Sequence, residues 1–427
     1  MQAQLVIRLF TFTGVLLTCG IVGAGILYAL AAHPPAVPAK VATGAAFDAY
    51  LTQLTASGDP PGISIAVVKG GKLIYSQAFG MADGPAQVAA APDTVYHWWS
   101  MTKIVTAIAV LQLSERGLLD LDAPVADYLP WFDVHFGGGS SSTDVTVRHL
   151  LNHSSGLPDP MPAMIGWMHY ADELVDQTAL IRHHLPQFNK LQSTPGAKAA
   201  YTNLGYMVLG AVIEQVSGQS YAAYVSDNIL QPLGMRHTSF LYPENHGAHE
   251  ARGSQQLVHL YTPLLPFLLD TKALIHQRSG SILWLNRVYT DALPPSGLIG
   301  PAPDVARLLL AFLHGGELDG ARILSPQSIA MMTAVPASLA GAQPAAEGSG
   351  SEHGLGWLFV ADRGHVRLQH DGGGPGFATT MRLYPEDDLG IVIMANGTDL
   401  DRDALAALIR ETFASSTEEA MAQVTSH

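Results

Sequence analysis

Ser100 and Lys103 stand three residues apart at the start of an apolar stretch, and this spacing constrains how the chain can fold. On a helix, residues i and i+3 share a face, so the Lys103 amine would lie beside Ser100 Oγ. The apolar residues that follow predict a buried helix; they are Ile104, Val105, Ile108, Val110, Leu111 and Leu113. Burial disfavours an ammonium ion, and a serine needs a neighbouring base to act as a nucleophile. The pattern therefore indicates serine acyl-transfer chemistry.

The spacing of Ser100 and Lys103 alone does not identify a catalytic pair, because a serine N-cap followed by a surface lysine produces the same tetrapeptide in many proteins. Two further elements support the catalytic interpretation. Tyr201-Thr202-Asn203 follows the turn-forming Pro195-Gly196 and precedes an apolar helical run at residues 204–216. The third element is the glycine-rich loop His370–Phe377. We therefore expect one site that is assembled from three distant parts of the chain.

Hydrophobic periodicity predicts strands near both ends of the chain. A hairpin is predicted at residues 63–68 and 73–75, and later strands at residues 366–369, 379–384 and 390–394. Helix faces are predicted at both ends by apolar residues at helical spacing: Phe47, Leu51 and Leu54 in the first, and Leu405, Leu408, Ile409 and Phe413 in the last. We therefore expect an α+β fold, in which an antiparallel sheet built from both termini is flanked by helices and carries a mostly helical insertion.

At these motifs the sequence resembles the serine beta-lactamase and penicillin-binding-protein superfamily, in its class C beta-lactamase, D-alanyl-D-alanine peptidase and esterase branch. The resemblance covers nearly the whole chain after about Ala45. It includes five further stretches in the expected order: Pro61–Ser64, Phe79–Asp83, Leu150–Leu157, Pro232–Met235 and Gly354–Trp357. The resemblance implies a beta-lactamase/transpeptidase-like fold, but a fold does not determine the substrate.

The resemblance also implies roles for individual residues. Ser100 would be the nucleophile, Lys103 its proton-network partner, and the Tyr201 phenol the general base. Asn203 would hydrogen-bond the substrate amide or the Lys103 amine. The oxyanion hole would be formed by the N–H groups of Ser100 and of Gly373, the residue after Gly372. No metal or organic cofactor is implied.

The third motif departs from the beta-lactamase pattern, which usually reads K-T-G there. Here it reads His370-Asp371-Gly372. A lysine would offer a permanent positive charge to a substrate carboxylate, whereas a histidine with a pKa of about 6.5 is largely neutral at pH 7. Asp371 adds a negative charge beside it. Esterase or peptidase relatives are therefore better models than penicillin hydrolysis, and His370 is expected to contact the substrate from an edge strand.

Structural interpretations of the same residues stay open. Tyr201 could be a core tyrosine, and Asn203 could cap the helix that follows it. Residues 372–376 could be a flexible turn, and His370 could be a structural residue at the end of a strand. His153 lies in a stretch that is interpreted as structural and is left out of the site.

Charge and hydropathy indicate where the protein is located and which kinds of partner it can bind. The net charge is -14 and there is no basic run, which argues against a nucleic-acid partner. Residues 9–32 contain no charged side chain, and at about 1.5 Å per residue a helix of this length exceeds a hydrocarbon core of about 30 Å. We expect residues 1–40 to be a single-pass membrane anchor and spacer, with Arg8 in the cytoplasm and the hydrolase domain, residues 41–427, outside. A cleaved signal peptide would instead give a secreted protein.

These observations predict a membrane-anchored, outward-facing serine hydrolase. It would cleave a small-molecule or peptide ester or amide, and it would resemble esterases more than lactamases. One alternative is a beta-lactamase or D-alanyl-D-alanine carboxypeptidase, and another is a penicillin-binding sensor or scaffold without turnover. The apolar segment 256–294 is either a lid or acyl-chain surface over the cleft or ordinary packing between subdomains.

Overall fold

The computed structural model describes residues 34–140, 142–242, 250–257, 262, 270–339, 351–362 and 365–414. Within these residues no helix is both long enough and apolar enough to cross a bilayer. The span that the sequence predicts at residues 9–32 lies outside the described part of the chain.

An eight-stranded antiparallel sheet joins the two ends of the chain. Its early strands are β1 (Gly62–Lys69), β2 (Lys72–Asp83) and β3 (Val88–Ala89). Its late strands are β15 (Ser351–His353), β16 (Leu358–Asp362), β17 (His365–Gly374), β18 (Phe377–Tyr384) and β19 (Leu389–Ala395). The strand order across the sheet is β15-β16-β17-β18-β19-β1-β2-β3. β1 pairs with β19 from Ile63 opposite Ala395 to Lys69 opposite Leu389. The α+β prediction and the closure of the sheet by both termini are confirmed.

Among the helices of the described residues, the first and the last cover one face of this sheet. They are α1 (Gly44–Ala56) and α12 (Arg402–Ala414), and both were predicted from their apolar faces. Phe47 of α1 meets Phe413 of α12 edge to face, with 5.9 Å between ring centroids. Together with Tyr75 they belong to a separate hydrophobic cluster on this face of the sheet.

The helical insertion lies on the other face and contains the larger core. Its helices are α2 (Thr102–Glu115), α3 (Val125–Tyr128), α4 (Val147–Leu151), α5 (Gln177–Phe188), α6 (Asn203–Ser217), α7 (Tyr221–Val225), α8 (Thr271–Leu274), α9 (Leu293–Ser296), α10 (Ala302–Leu313) and α11 (Pro326–Thr333). α10 packs on β1 and β19, while α2 packs against α6 and α9. Every residue of α2 from Thr102 to Leu113 is buried, as expected for a helix that is apolar on all sides.

Short strands complete the fold. They are β4 (Val95–His97), β5 (His135–Phe136), β6 (Gly139–Ser140), β7 (Met168–His169), β8 (Ser254–Gln256), β9 (Ile275–Ser279), β10 (Ile282–Leu285), β11 (Tyr289–Thr290), β12 (Ile299–Pro301), β13 (Glu317–Leu318) and β14 (Ala321–Arg322). In the apolar 256–294 segment, β10 pairs with β8 and β9, and Leu283, Trp284 and Leu285 are buried. This part of the segment therefore packs as core, while residues 258–261 and 263–269 lie outside the described part.

The prediction that His370 lies on an edge strand is correct at His370 itself but not for the first half of β17. β17 lies between β16 and β18, but its pairs with β16 run only from His365 to Gln369. From His370 to Gly374 it pairs with β18 alone. β17 is thus an interior strand that becomes a free edge at His370, where the nucleophile approaches it.

Candidate active site

The nucleophile occupies a tight turn rather than the helix itself. Ser100 is the middle residue of a 3-10 turn, Trp99–Met101, and α2 begins two residues later at Thr102. Lys103 lies on the first turn of α2, and its Nζ is 3.2 Å from Ser100 Oγ. The i and i+3 spacing therefore brings the two groups together as predicted, across the junction between the 3-10 turn and the helix.

Three oxygen atoms surround the fully buried Lys103 amine. Besides Ser100 Oγ, Nζ lies 2.8 Å from Asn203 Oδ1 and 3.0 Å from the Pro295 carbonyl. Burial lowers the pKa of Lys103 well below its usual value, and the negative charge of Asp159 partly opposes this. When the amine is neutral, it has two N–H groups and one lone pair. Since a carbonyl and an amide oxygen can only accept, the two N–H groups of the neutral form bind these partners, and its lone pair is left for Ser100 Oγ.

Asp159 fixes the orientation of the Asn203 side chain. Its Oδ1 accepts hydrogen bonds from the Asn203 backbone N–H at 3.0 Å and from Asn203 Nδ2 at 3.1 Å. A carboxylate cannot donate, so Nδ2 must face Asp159 and Oδ1 must face Lys103. Asn203 is also the first residue of α6, where Thr202 Oγ1 provides the cap. Sequence reasoning missed Asp159, because nothing in the chain marks this carboxylate from its neighbours.

Tyr201 reaches the nucleophile from the opposite side of the cleft. Its hydroxyl donates to Ser100 Oγ at 2.9 Å. Burial raises the pKa of Tyr201, and the charges of Asp159 and Asp371 add to this, although the ring is 38% exposed to the cleft and solvent moderates the effect. Tyr201 is therefore a neutral donor at pH 7, whereas the lowered pKa of Lys103 favours its neutral form, which can accept a proton.

His153, which the sequence analysis left out, clamps the backbone on both sides of Tyr201. Its Nδ1 accepts the Thr202 N–H at 3.2 Å, and its carbonyl accepts the Ala200 N–H at 2.8 Å. Its ring lies 4.6 Å from the Tyr201 ring, centroid to centroid. Burial lowers the pKa of His153 well below its usual value, which keeps Nδ1 available as an acceptor. His153 thus positions the phenol, and only the folded structure reveals this.

Two other imidazoles border Tyr201. The ring centroids of His353 and His370 lie 6.0 and 6.3 Å from that of Tyr201. Burial lowers the pKa of His370 to about 3, and burial also lowers the pKa of His353. His370 Nδ1–H donates to the Asp371 carbonyl at 2.9 Å, so its Nε2 is an acceptor. The side of Tyr201 that faces His353 and His370 is therefore lined by neutral rings.

Asp371 projects away from this side, because successive residues of a strand point to opposite faces. Thr380 Oγ1 donates to Asp371 Oδ1 at 2.5 Å. Two guanidinium groups, those of Arg382 and Arg402, lie 3.7 and 3.8 Å from the carboxylate. The negative charge that the sequence places beside His370 is thus shared with two cations on the α12 face.

The glycines of β17 permit close approach to the nucleophile turn. A Cβ on Gly372 would lie 2.0 Å from the Trp98 carbonyl oxygen, and one on Gly374 would lie 2.4 Å from the Trp99 ring. A Cβ on Gly373 would approach only Arg402 Nη1, at 3.9 Å. The first three glycines of the run therefore belong to a packed strand and not to a flexible turn.

Backbone N–H groups of Ser100 and Gly373 can form an oxyanion hole. Gly374 and Phe377 close a two-residue turn, and antiparallel pairs alternate between hydrogen-bonded and non-hydrogen-bonded types. We infer that Gly373 is in a non-hydrogen-bonded pair, with its N–H directed to the edge that β16 has left. Among the described residues, no protein group accepts from the Ser100 N–H. Both donors are free to bind a substrate oxygen.

The two tryptophans before the nucleophile support it from beneath and do not line the cleft. Trp98 is fully buried and its Nε1 donates to the Gly300 carbonyl at 3.2 Å, while Trp99 is only 3% exposed. In the part of the chain that the structure describes, no three His, Cys, Asp or Glu side chains are placed to hold a metal ion. Two cavities of about 510 and 540 Å³ lie elsewhere, and neither is lined by Ser100.

Comparison with known proteins extends the likeness over most of the chain. A family model described as Beta-lactamase matches residues 47–414. Protein flp of Staphylococcus aureus strain N315 is 34% identical over 196 residues, which are 46% of this chain but only 38% of flp. The chain thus spans well under half the length of this curated relative.

Solved structures share the fold. A penicillin-binding protein homologue from Pyrococcus abyssi is 25% identical, with a TM-score of 0.65 over 84% of this chain and 75% of its own. The D-amino acid amidase from Ochrobactrum anthropi SV3 is 22% identical, with a TM-score of 0.66 over 84% of this chain and 96% of its own. With the family model matched across the three motifs that meet at Ser100, the chain belongs to the beta-lactamase family.

Proposed function

We propose that this protein cleaves esters, and less readily amides, through an acyl-enzyme formed on Ser100. One observation carries the proposal: Ser100 Oγ lies within hydrogen-bond distance of a buried amine, Lys103 Nζ at 3.2 Å, and of a phenol, Tyr201 at 2.9 Å. A serine with both an acceptor and a donor on its hydroxyl can lose a proton and later return it.

The pKa directions of Lys103 and Tyr201 support one order of proton transfers. As Ser100 Oγ bonds to the substrate carbonyl carbon, the Ser100 proton passes to the neutral Lys103 amine. The carbonyl oxygen becomes an oxyanion between the N–H groups of Ser100 and Gly373. Tyr201 then gives its proton to the leaving group and regains one from the Lys103 ammonium, while the bond to the leaving group breaks. In this scheme Tyr201 relays the proton, which differs from the role as general base that the family resemblance implies.

Deacylation reverses the transfers with water in place of the leaving group. Water loses a proton to the Tyr201 and Lys103 pair as its oxygen bonds to the acyl carbon. Ser100 Oγ recovers that proton when the ester bond to the acyl group breaks. The carboxylic acid product leaves, and the enzyme returns to its starting protonation state.

The preference for esters without a carboxylate on the leaving group rests on the charge around Tyr201. His370 is neutral at pH 7 because burial lowers its pKa to about 3, and the neighbouring Asp371 points to the opposite face of the strand, where Arg382 and Arg402 lie 3.7 and 3.8 Å from it. A leaving group that carries a carboxylate would find neutral rings there instead of the lysine of a K-T-G motif. A neutral alcohol leaving group needs no cation beside Tyr201, so the absence of that lysine does not weaken its binding.

We also propose that residues 9–32 anchor the protein in a membrane, with the hydrolase domain outside the cytoplasm. The support is the absence of charge over a length that exceeds the hydrocarbon core, with Arg8 on its N-terminal side. Alkaline carbonate extraction, followed by protease treatment of intact cells, tests this. Release into the soluble fraction would show that the segment is cleaved or does not span.

The catalytic proposal is tested with the full-length protein and its Ser100→Ala variant on p-nitrophenyl acetate, p-nitrophenyl octanoate and nitrocefin. We expect sustained, Ser100-dependent turnover of the esters and little turnover of nitrocefin. Fast nitrocefin turnover would support a beta-lactamase instead. A single burst without turnover would support a penicillin-binding sensor.

A further inference from the structure

The residue before the nucleophile has an unusual backbone conformation. Trp99 has φ +50°, in the left-handed region that bulky side chains rarely adopt. Glycine takes this conformation at no steric cost, whereas a residue with a Cβ must be held in it by its surroundings. Because the chain direction at Ser100 follows from the dihedral angles of Trp99, the positions of Ser100 Oγ and of the Ser100 N–H depend on this conformation.

His97 holds Trp99 through two contacts. The Trp99 N–H donates to His97 Nδ1 at 3.2 Å, and the two rings stack with centroids 3.9 Å apart and planes 15° apart. His97 is 1% exposed, and burial lowers its pKa to about 3. The imidazole is therefore neutral at pH 7, and because Nδ1 accepts the Trp99 N–H, the ring proton is on Nε2.

Contacts on the other sides join Trp99 to the catalytic strand and to α2. Gly374 passes so close over the Trp99 ring that a Cβ there would lie 2.4 Å from it. Thr102 Oγ1 donates to the Trp99 carbonyl at 2.7 Å. Trp99 is thus fixed between His97 on one side and the end of β17 on the other, next to the predicted oxyanion-hole residue Gly373.

We propose that His97 is a positioning residue for Ser100: by accepting the Trp99 N–H and stacking on the indole, it holds Trp99 in the left-handed conformation that aims the nucleophile at Lys103 and Gly373. The inference rests on the proposed function, since it concerns the acylation step at Ser100. His97 itself touches no reacting atom. Its effect on the rate passes entirely through the backbone of residue 99.

The test is a double-mutant cycle in the full-length protein, followed by the pre-steady-state burst with p-nitrophenyl acetate. His97→Phe keeps a ring to stack on Trp99 but removes the acceptor. We expect the acylation rate to fall about tenfold or more, with KM changed by less than about twofold, because the nucleophile is misplaced while the binding surface is intact. Trp284→Phe is the control, because Trp284 is as buried as Trp99, at 3% exposed, and this substitution should leave the burst rate unchanged.

The second arm is Trp99→Gly. Glycine needs no support at φ +50°, so His97→Phe should have little further effect on the acylation rate in the Trp99→Gly background. A purely structural role for His97 predicts that the two rate losses multiply. Multiplying losses, or a His97→Phe burst rate within about twofold of wild type, would overturn the inference. If Trp99→Gly does not fold, the His97→Phe rate alone decides.

The outcome also separates this inference from the proposed function. A wild-type burst that depends on Ser100 but is insensitive to His97→Phe would overturn the positioning role and leave the hydrolase proposal intact. Absence of a Ser100-dependent burst in the wild type would overturn both.

Discussion

Asp159 accepts both hydrogen bonds that Asn203 can donate toward it, one from the backbone N–H and one from Nδ2. The arrangement turns Asn203 Oδ1 toward Lys103 Nζ, 2.8 Å away. Asp159 therefore acts on the catalytic amine in two ways, by orienting its partner and by the electrostatic effect of its negative charge. Neither effect requires contact with the substrate.

Asp159→Asn should lower kcat/KM about tenfold or more, because an amide at position 159 no longer fixes which end of Asn203 faces Lys103. Removing the negative charge should also lower the pKa of Lys103 further. Since the base must be neutral, activity is lost as the pH falls through this pKa, so the acid limb of the kcat/KM profile should move to lower pH. The pH profile of the variant, compared with that of the surface variant Asp227→Asn, checks this. An acid limb that moves to higher pH would contradict the assignment of Lys103 as the base.

Tyr201→Phe and His153→Ala should separate proton transfer from positioning. Tyr201→Phe keeps the ring but removes the donor to Ser100 Oγ, so kcat should fall by about 10²-fold or more with little change in melting temperature. His153→Ala removes a buried ring and the acceptor of the Thr202 N–H, so both kcat and the melting temperature should fall.

The measurement is kcat with thermal denaturation for the two single variants and for the double variant. Because His153 acts through Tyr201, the losses in kcat should not multiply in the double variant. Fully multiplicative losses would show that His153 contributes independently of Tyr201.

The contrast between Lys103 and His153 shows how far the sequence could predict the site. The spacing of Ser100 and Lys103, with the apolar residues after them, sufficed to place an amine beside a hydroxyl, because both lie on one local element. His153 and Asp159 act on backbone or side-chain groups more than forty residues away in sequence, as their separations of 49 and 44 show. Periodicity and local motifs carry no information on such contacts.

Local sequence patterns likewise predicted individual elements of the fold but not how distant elements pair. Alternating apolar residues predicted β1, β18 and β19, and helical spacing predicted α1 and α12. The position of β16 beside only half of β17 could not be predicted, because strand pairing depends on where a distant strand ends. The direction of Asp371 follows the period of two along a strand, but its partners Arg382 and Arg402 come from elements whose register only the structure provides.

Stability should fall on acidification because buried histidines are neutral in the folded protein. Burial lowers the pKa of His97 and of His370 to about 3, compared with about 6.5 in an unfolded chain. Between these pH values the unfolded state binds more protons than the folded state. The contribution of each neutral histidine to the free energy of unfolding is therefore complete above about pH 6.5. It is lost as the pH falls toward 3, by up to about 1.4 kcal/mol per pH unit for each histidine. Asp59, whose pKa burial raises to about 7, acts in the opposite direction as a single group.

Urea denaturation of the wild type and of His370→Asn between pH 7 and pH 4 isolates one histidine, since the contribution of Asp59 is common to both proteins. We expect the loss of stability per pH unit to be smaller in the variant. Parallel pH dependences would show that His370 is already charged in the folded state. The proposal that the leaving group meets neutral rings beside Tyr201 would then have to be abandoned.

Gly372→Ala and Gly373→Ala are a matched pair of substitutions on the catalytic strand. A methyl group at position 372 would lie 2.0 Å from the Trp98 carbonyl and 2.3 Å from Thr379 Oγ1, so β17 must move away from the nucleophile turn. At position 373 the nearest atom is 3.9 Å away, and the N–H that faces the cleft is retained. Gly372→Ala should therefore lower the melting temperature and abolish the burst with p-nitrophenyl acetate, whereas Gly373→Ala should melt like the wild type. If Gly372→Ala keeps the wild-type burst, the close packing of β17 on Trp98 is not what brings Gly373 within reach of the Ser100 oxyanion.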